Sequence, residues 1–117
     1  MADVIALVDD LFFQSKLVET ARNVGVVIQT VSTGDALIAA TTSGGVRLLL
    51  VDLNARQAPL EAIEKLHAAG NPVPVVAFLS HVQTDMAEKA RAAGCEQVLP
   101  RSKFTADLAN ILRQAKS

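Results

Sequence analysis

Short runs of aliphatic and β-branched residues alternate along this chain with stretches whose apolar residues recur at helical spacing. The runs predict strands over roughly residues 3–8, 26–31, 46–51, 73–79 and 96–99. Five helical segments accompany them. The first, roughly 12–24, places Phe13, Leu17, Ala21 and Val24 on one face and stops at Gly25, a residue suited to the left-handed cap position. The second, roughly 34–42, follows Thr33 as N-cap, although Thr41 and Thr42 are poor helix formers. The third opens with Pro59 at its first position, turns Ile63 and Leu66 inward, and ends at Gly70-Asn71-Pro72. The fourth, roughly 83–93, is alanine-rich and stops at Gly94. The last runs from about Phe104 to Lys116, with Ser102 as a cap and Leu108, Ile111 and Leu112 on one face.

Strands alternating with helices are the pattern of βαβ units and a parallel sheet. Right-handed crossovers with helices on both faces give a three-layer, doubly wound α/β fold, and the order 2-1-3-4-5 is one of its two common solutions. In that order strands one and three are neighbours. The ligand crevice of such a sheet lies beyond the carboxyl ends of the strands where the order reverses. Asp9, Asp10 and Asp52 all fall there, because each follows an apolar run.

Composition narrows the picture. The 117 residues make one domain, spanning 1–117, with enough length for a real core and too little for a second globular unit. Half the residues are hydrophobic, 20% are charged and the formal net charge is −1, which argues against disorder and against a basic nucleic-acid-binding field. No apolar run approaches the ~18 residues needed to cross a bilayer, and the start lacks a signal-peptide pattern. The expectation is a soluble, cytoplasmic protein with no nucleic-acid or membrane partner. Cys95 is the single cysteine, which excludes an internal disulfide, and its Gly94-Cys95-Glu96 setting fits a small buried hydrophobe.

Three carboxylates at one sheet edge raise each other's pKa unless a cation neutralises them. The cluster is therefore either a metal site or coincidence. Taken singly, Asp10 would serve to cap the first helix and Asp52 to start a turn.

Over nearly its full length the chain resembles the receiver domains of bacterial response regulators. The residues that carry the resemblance are Leu7-Val8-Asp9-Asp10, Leu49-Leu50-Val51-Asp52-Leu53-Asn54, Ala92-Ala93-Gly94 and Phe104-Thr105. The resemblance implies that Asp52 accepts a phosphoryl group from a histidine kinase or phosphotransfer protein, with Mg²⁺. It further implies Asp52 and Asp10 as direct ligands, Asp9 as a ligand through water, and the Asn54 main-chain carbonyl as the third protein oxygen. Phosphoryl transfer to a carboxylate requires charge neutralisation above all, and Mg²⁺ with an all-oxygen shell supplies it.

The chain departs from the receiver pattern at several positions. The family's lysine after the fifth strand falls on Arg101 or Ser102, depending on register, with Lys103 close by as either a contributor or a solvated charge. The family's hydroxyl at the end of the fourth strand falls on Leu79, so Ser80 can replace it only if the strand has already ended. The usual aromatic of the fifth strand is Val98, which cannot make that aromatic's rotamer change. The pattern is that of an atypical or pseudo-receiver.

Leu11-Phe12-Phe13 enters the first helix directly after the acidic pair, and three consecutive apolar residues cannot all face inward. Phe12 is either a docking contact for a phosphodonor domain or a hydrophobic staple. His67 and His81 lie too far apart in the pattern to form a metal pair, and His81 reads as a rim residue or a solvated loop histidine.

Two readings of different class follow. One is a stand-alone receiver, a monomer or weak homodimer, that signals through protein contacts to a downstream partner. The other is a phosphorylation-independent interaction module that uses the face of helix four, strand five and helix five. Enzymatic alternatives on this fold fit poorly. A flavin mononucleotide site would want a Ser/Thr/Gly phosphate loop and flanking aromatics, and a dehalogenase-type phosphatase would want aspartates two positions apart after strand one.

Overall fold

The computed structural model describes residues 2–80 and 84–116. Its strands are β1 (Val4–Leu7), β2 (Ile28–Val31), β3 (Leu48–Asp52), β4 (Val75–Leu79) and β5 (Gln97–Pro100). They form one parallel sheet in the order β2-β1-β3-β4-β5, as the alternation of runs predicts. The three central strands β1, β3 and β4 are buried along their whole length, which is why their sequences are continuous apolar runs. The edge strands β2 and β5 are only partly buried.

The helices are α1 (Leu11–Val24), α2 (Gly34–Thr42), α3 (Pro59–Ala68), α4 (Thr84–Ala92), α5 (Arg101–Ala106) and α6 (Leu108–Arg113). One core layer joins Val4, Ala6, Leu50 and Phe78 of the sheet to Phe13 and Leu17 of α1 and to Phe104, Leu108 and Leu112 of α5 and α6. The opposite layer joins Ile5, Leu7, Leu49 and Val51 to Leu37, Ile63 and Ala90 of α2, α3 and α4. Successive strand residues alternate between these layers, so each buried strand serves two cores at once.

Several local expectations hold. Gly25 ends α1 with φ 79°, and Thr33 Oγ1 accepts the Ala36 N–H at 3.0 Å. The C-terminal helix differs. It begins at Arg101, directly after Pro100, and not at Phe104, so Ser102 lies exposed in the first turn and caps nothing. Pro100 ends the strand with a φ of −59° and leads straight into helical backbone. The segment then bends at Asp107 (φ −99°, ψ 6°), which divides α5 from α6. The early start carries Arg101 to the sheet edge, where its side chain faces the acidic pair.

Candidate functional site

The register of the sheet assembles the acidic edge. Leu7 pairs with Val51, so β1 and β3 end level with each other, and Asp9 and Asp10 follow β1 just beyond Asp52. Asp52 is the last residue of β3 and only 2% exposed, whereas Asp9 is exposed and Asp10 is half-buried. Asp52 and Thr41 are the buried polar or charged residues among the described residues.

Each carboxylate already has one oxygen in local use. Asp10 Oδ1 accepts the Phe12 N–H at 2.9 Å and the Phe13 N–H at 3.3 Å, and so caps α1. Asp52 Oδ1 accepts the Asn54 N–H at 2.9 Å and starts a turn. Asp9 Oδ2 accepts the Arg56 N–H at 3.0 Å, tying the loop after β3 to the end of β1. The capping and turn roles expected of single aspartates are thus real, but they occupy one oxygen of each.

The remaining oxygens of Asp10 and Asp52 face one cation. Arg101 Nη2 donates to Asp52 Oδ2 at 3.0 Å, while Arg101 Nη1 lies 3.5 Å from Asp10 Oδ2. Two strand spacings, roughly 10 Å, separate β5 from β3, so only a long side chain spans the gap. Arg101 spans it across the Phe13 ring, its Cζ 4.5 Å from the ring centroid and 5.7 Å from that of Phe78. Phe13, Phe78 and Phe104 form a cluster beneath it, with the Phe78 and Phe104 rings stacked at 4.2 Å. Arg101 Nε is buried without a hydrogen-bond partner among the described residues.

Burial pushes the Asp52 carboxyl above its ordinary 3.8, and nearby Asp9 adds to the rise. The Asn54 N–H and Arg101 favour the charged form without cancelling the cost of burial.

Other predicted residues fall as follows. β4 ends at Leu79, so Ser80 lies outside the strand and exposed, which meets the condition set for it; its N–H donates to Asn54 Oδ1 at 2.6 Å. Leu79 is buried in the layer of α2 to α4, and Val98 packs partly buried against that layer. Lys103 is exposed on α5. Phe12 is 92% exposed and Leu11 75%, so neither acts as a staple, and Phe13 alone turns inward. His67 is exposed, its ring set against Gly94, and His81 lies outside the described residues. Cys95 is buried, and burial pushes its thiol up to about 11.

Sequence reasoning missed three parts of the site. Gln14 Nε2 donates to the Val8 carbonyl and pins the first turn of α1 to the end of β1. Asn54 acts through its side chain as well as its backbone. The aromatic floor under Arg101 had only one sequence signal, the inward position of Phe13 on the helix stripe.

The all-oxygen donor set suits a hard divalent cation such as Mg²⁺. Among the described residues, however, no group of three or more His, Cys, Asp or Glu side chains is arranged to hold a metal ion. Asp9 is turned to the loop and Arg101 stands between the other two. The donor atoms suit such an ion by type, but in this arrangement Arg101 occupies the Asp10 and Asp52 oxygens that it would use.

The geometry defines a class first: a doubly wound α/β domain of flavodoxin-like topology with an acidic crevice at the β1/β3 edge. No protein-family model and no curated protein sequence matches the chain. Solved structures do. The receiver domain of NtrX from Brucella abortus superposes with a TM-score of 0.81 at 18% identity, over 97% of each chain. A LuxR-family DNA-binding response regulator from Staphylococcus aureus gives 0.84 at 12% identity over 100% of both chains. The receiver domain of NarL from Mycobacterium tuberculosis gives 0.83 at 15% identity, over 99% of this chain and 97% of that one. Against the longer NtrX chain in complex with ADP, this chain spans 26% of the length. The chain has the fold of the response-regulator receiver domains.

Proposed function

We propose that this domain is a receiver in two-component or phosphorelay signalling, which takes a phosphoryl group onto Asp52 from a histidine kinase or phosphotransfer protein and signals through protein contacts. The observation that carries the reading is Asp52 itself: a buried carboxylate at the carboxyl end of β3, beside Asp9 and Asp10, with its free oxygen on a guanidinium. Mg²⁺ held by Asp10, Asp52 and the Asn54 carbonyl, with Asp9 through water, would neutralise charge on the phosphoryl oxygens. Asp52 Oδ1 stays oriented by the Asn54 N–H, which leaves Oδ2 as the oxygen presented to the crevice. Arg101 takes the part of the family's lysine, and its planar fork suits three phosphoryl oxygens. Ser80, held beside the site through its N–H, is the candidate hydroxyl. Exposed Phe12 beside the crevice is the docking contact for the phosphodonor.

A second reading has its own support. Leu79 is buried where receivers carry a hydroxyl, and Val98 replaces the aromatic that reports phosphorylation. A phosphorylation-independent interaction module would carry these substitutions at no loss.

Amide NMR separates the two readings. Under the receiver reading, Mg²⁺ followed by beryllium fluoride or acetyl phosphate shifts residues 9, 10, 52 and 54, and Asp52→Asn abolishes the second shift. A wild-type spectrum unmoved by either addition leaves only the interaction module.

A further inference from the structure

We propose that the exposed face of α1 is a self-pairing surface, on which a second copy of this chain lays its own α1 antiparallel about a two-fold axis at Ser15. The pairing stands on the pattern of α1 itself and does not depend on phosphorylation of Asp52.

Of the large hydrophobic side chains exposed among the described residues, Leu11, Phe12, Val18 and Val27, the first three lie on this one helix. At about 100° per residue, Ser15 falls at the middle of the exposed face, opposite buried Phe13, Leu17 and Ala21. Leu11 and Val18 stand on one flank of Ser15, and Phe12, Lys16 and Glu19 on the other. Ser15 is small and its Oγ already donates to the Leu11 carbonyl at 3.1 Å, so a second helix can cross it closely without stranding a polar group.

A two-fold axis perpendicular to the helix at Ser15 sets each flank against its own copy, run in reverse. Leu11 and Val18 are four and three positions from the axis, so Leu11 of one copy comes within about 2 Å of the level of Val18 of the other. A groove of 440 Å³ lies open there, lined by Gln14, Ser15, Val18, Glu19, Arg22 and Thr30, and it is the seat for that leucine. On the other flank Lys16 meets Glu19 of the second copy, because helical side chains lean toward the N-terminus and in antiparallel helices the two leans converge. Arg22 leans back likewise, to the level of Asp10 of the second copy. Lys16, Glu19 and Arg22 are all exposed and make no ion pair among the described residues. The order acid, base, acid, base along this face is matched by the same order reversed, and that self-complementarity selects a second copy as the occupant. One helix pair buries less than the ~1,200 Å² of stable complexes, so the dimer is weak, with a dissociation constant on the order of 0.1 mM. Under the docking role proposed above for Phe12, the dimer and the phosphodonor exclude each other.

The test is sedimentation equilibrium on the full chain from about 10 µM to about 1 mM, a range that brackets the expected constant. The weight-average mass of wild type should rise from 12.4 kDa toward twice that value, and amide NMR shifts over the same dilution should centre on α1. Ser15→Arg puts a bulky charge at the crossing and should hold the chain monomeric throughout. Lys16→Glu and Glu19→Lys each set like charges across the axis and should weaken association on the order of tenfold. Mixed in equal amounts, these two variants should recover to within about threefold of wild type, since each then meets its opposite. A folding defect cannot produce that recovery. A wild type that stays monomeric, association unchanged by Ser15→Arg, or no recovery in the mixture overturns the proposal and leaves the α1 face to the phosphodonor. The receiver reading survives all three outcomes, because it is decided by the response of Asp52. Should Ser15→Arg fail to fold, the mixed charge variants decide.

Discussion

Asp52 shows how one residue carries both a cost and a use. Burial raises its pKa, so in divalent-free buffer the native state holds its proton more tightly than the unfolded chain does. The penalty is absent below the ordinary value of 3.8, grows as pH rises through the interval up to the raised native value, and is fully present above it. Asp52→Asn keeps an oxygen for the Asn54 N–H and removes the buried charge. The variant should therefore be more stable than wild type at pH 7, with the gain shrinking toward pH 3.5; urea unfolding at the two pH values checks this, and an equal or lower midpoint at pH 7 refutes it. Cys95 gives a second residue-scale expectation. With its thiol held near 11 and buried, labelling by a thiol reagent at pH 8 should be slow in the native protein and fast in urea. Rapid native labelling would mean that the loop after α4 opens readily. Both aspartate roles legible from local sequence, the cap and the turn, are present. What local sequence does not contain is the second oxygen's partner, because Arg101 is 49 positions from Asp52.

At the scale of elements, the loop after β3 links the acidic edge to the far helices. Ala58 sits in the left-handed region (φ 55°, ψ 50°) just before α3, an uncommon conformation for a residue with a side chain. Gly34, the first residue of α2, donates its N–H to the Gln57 carbonyl at 2.9 Å. A Cβ at Gly34 would lie 2.8 Å from the Ala58 carbonyl oxygen and 3.1 Å from the Ala62 Cβ. Gly34→Ala should accordingly cost about 1–3 kcal/mol in chemical denaturation, the usual range for overpacking. A loss under ~0.5 kcal/mol would show that the loop yields freely. The C-terminal helix is the element that sequence periodicity placed too late. Apolar spacing locates its buried face, Leu108, Ile111 and Leu112, but gives no signal for a first turn whose inward contact is an arginine over a phenylalanine ring. Propensity likewise cannot show the bend at Asp107.

Across the whole molecule, the exposed apolar pair Leu11 and Phe12 follows directly on the acidic pair of the sheet edge, so under the proposed function a docking surface would adjoin the acceptor site. Phe12→Ala should leave stability within about 0.5 kcal/mol, as for other exposed positions. Under the proposed function it should slow phosphoryl transfer from a protein donor more than from acetyl phosphate, and equal slowing of both would remove Phe12 from docking. Under the same proposed function, phosphorylation should move residues 80–83, of which 81–83 lie outside the described residues, and residues 100–104, yet couple weakly to the end of β5 far from the site, because Val98 lacks the switch geometry. The fold class, the strand order and the gathering of Asp9, Asp10 and Asp52 at one edge were determined by the sequence alone. Continuous apolar runs alternating with helical periods admit few packings, and strands that end in acids in a parallel sheet bring those acids together. Tertiary structure alone decided the state of that edge. Which oxygen of each aspartate is free, how far Arg101 reaches and what ring supports it depend on strand spacing, register and an early helix start. These are distances between residues far apart in the chain, and no local pattern encodes them.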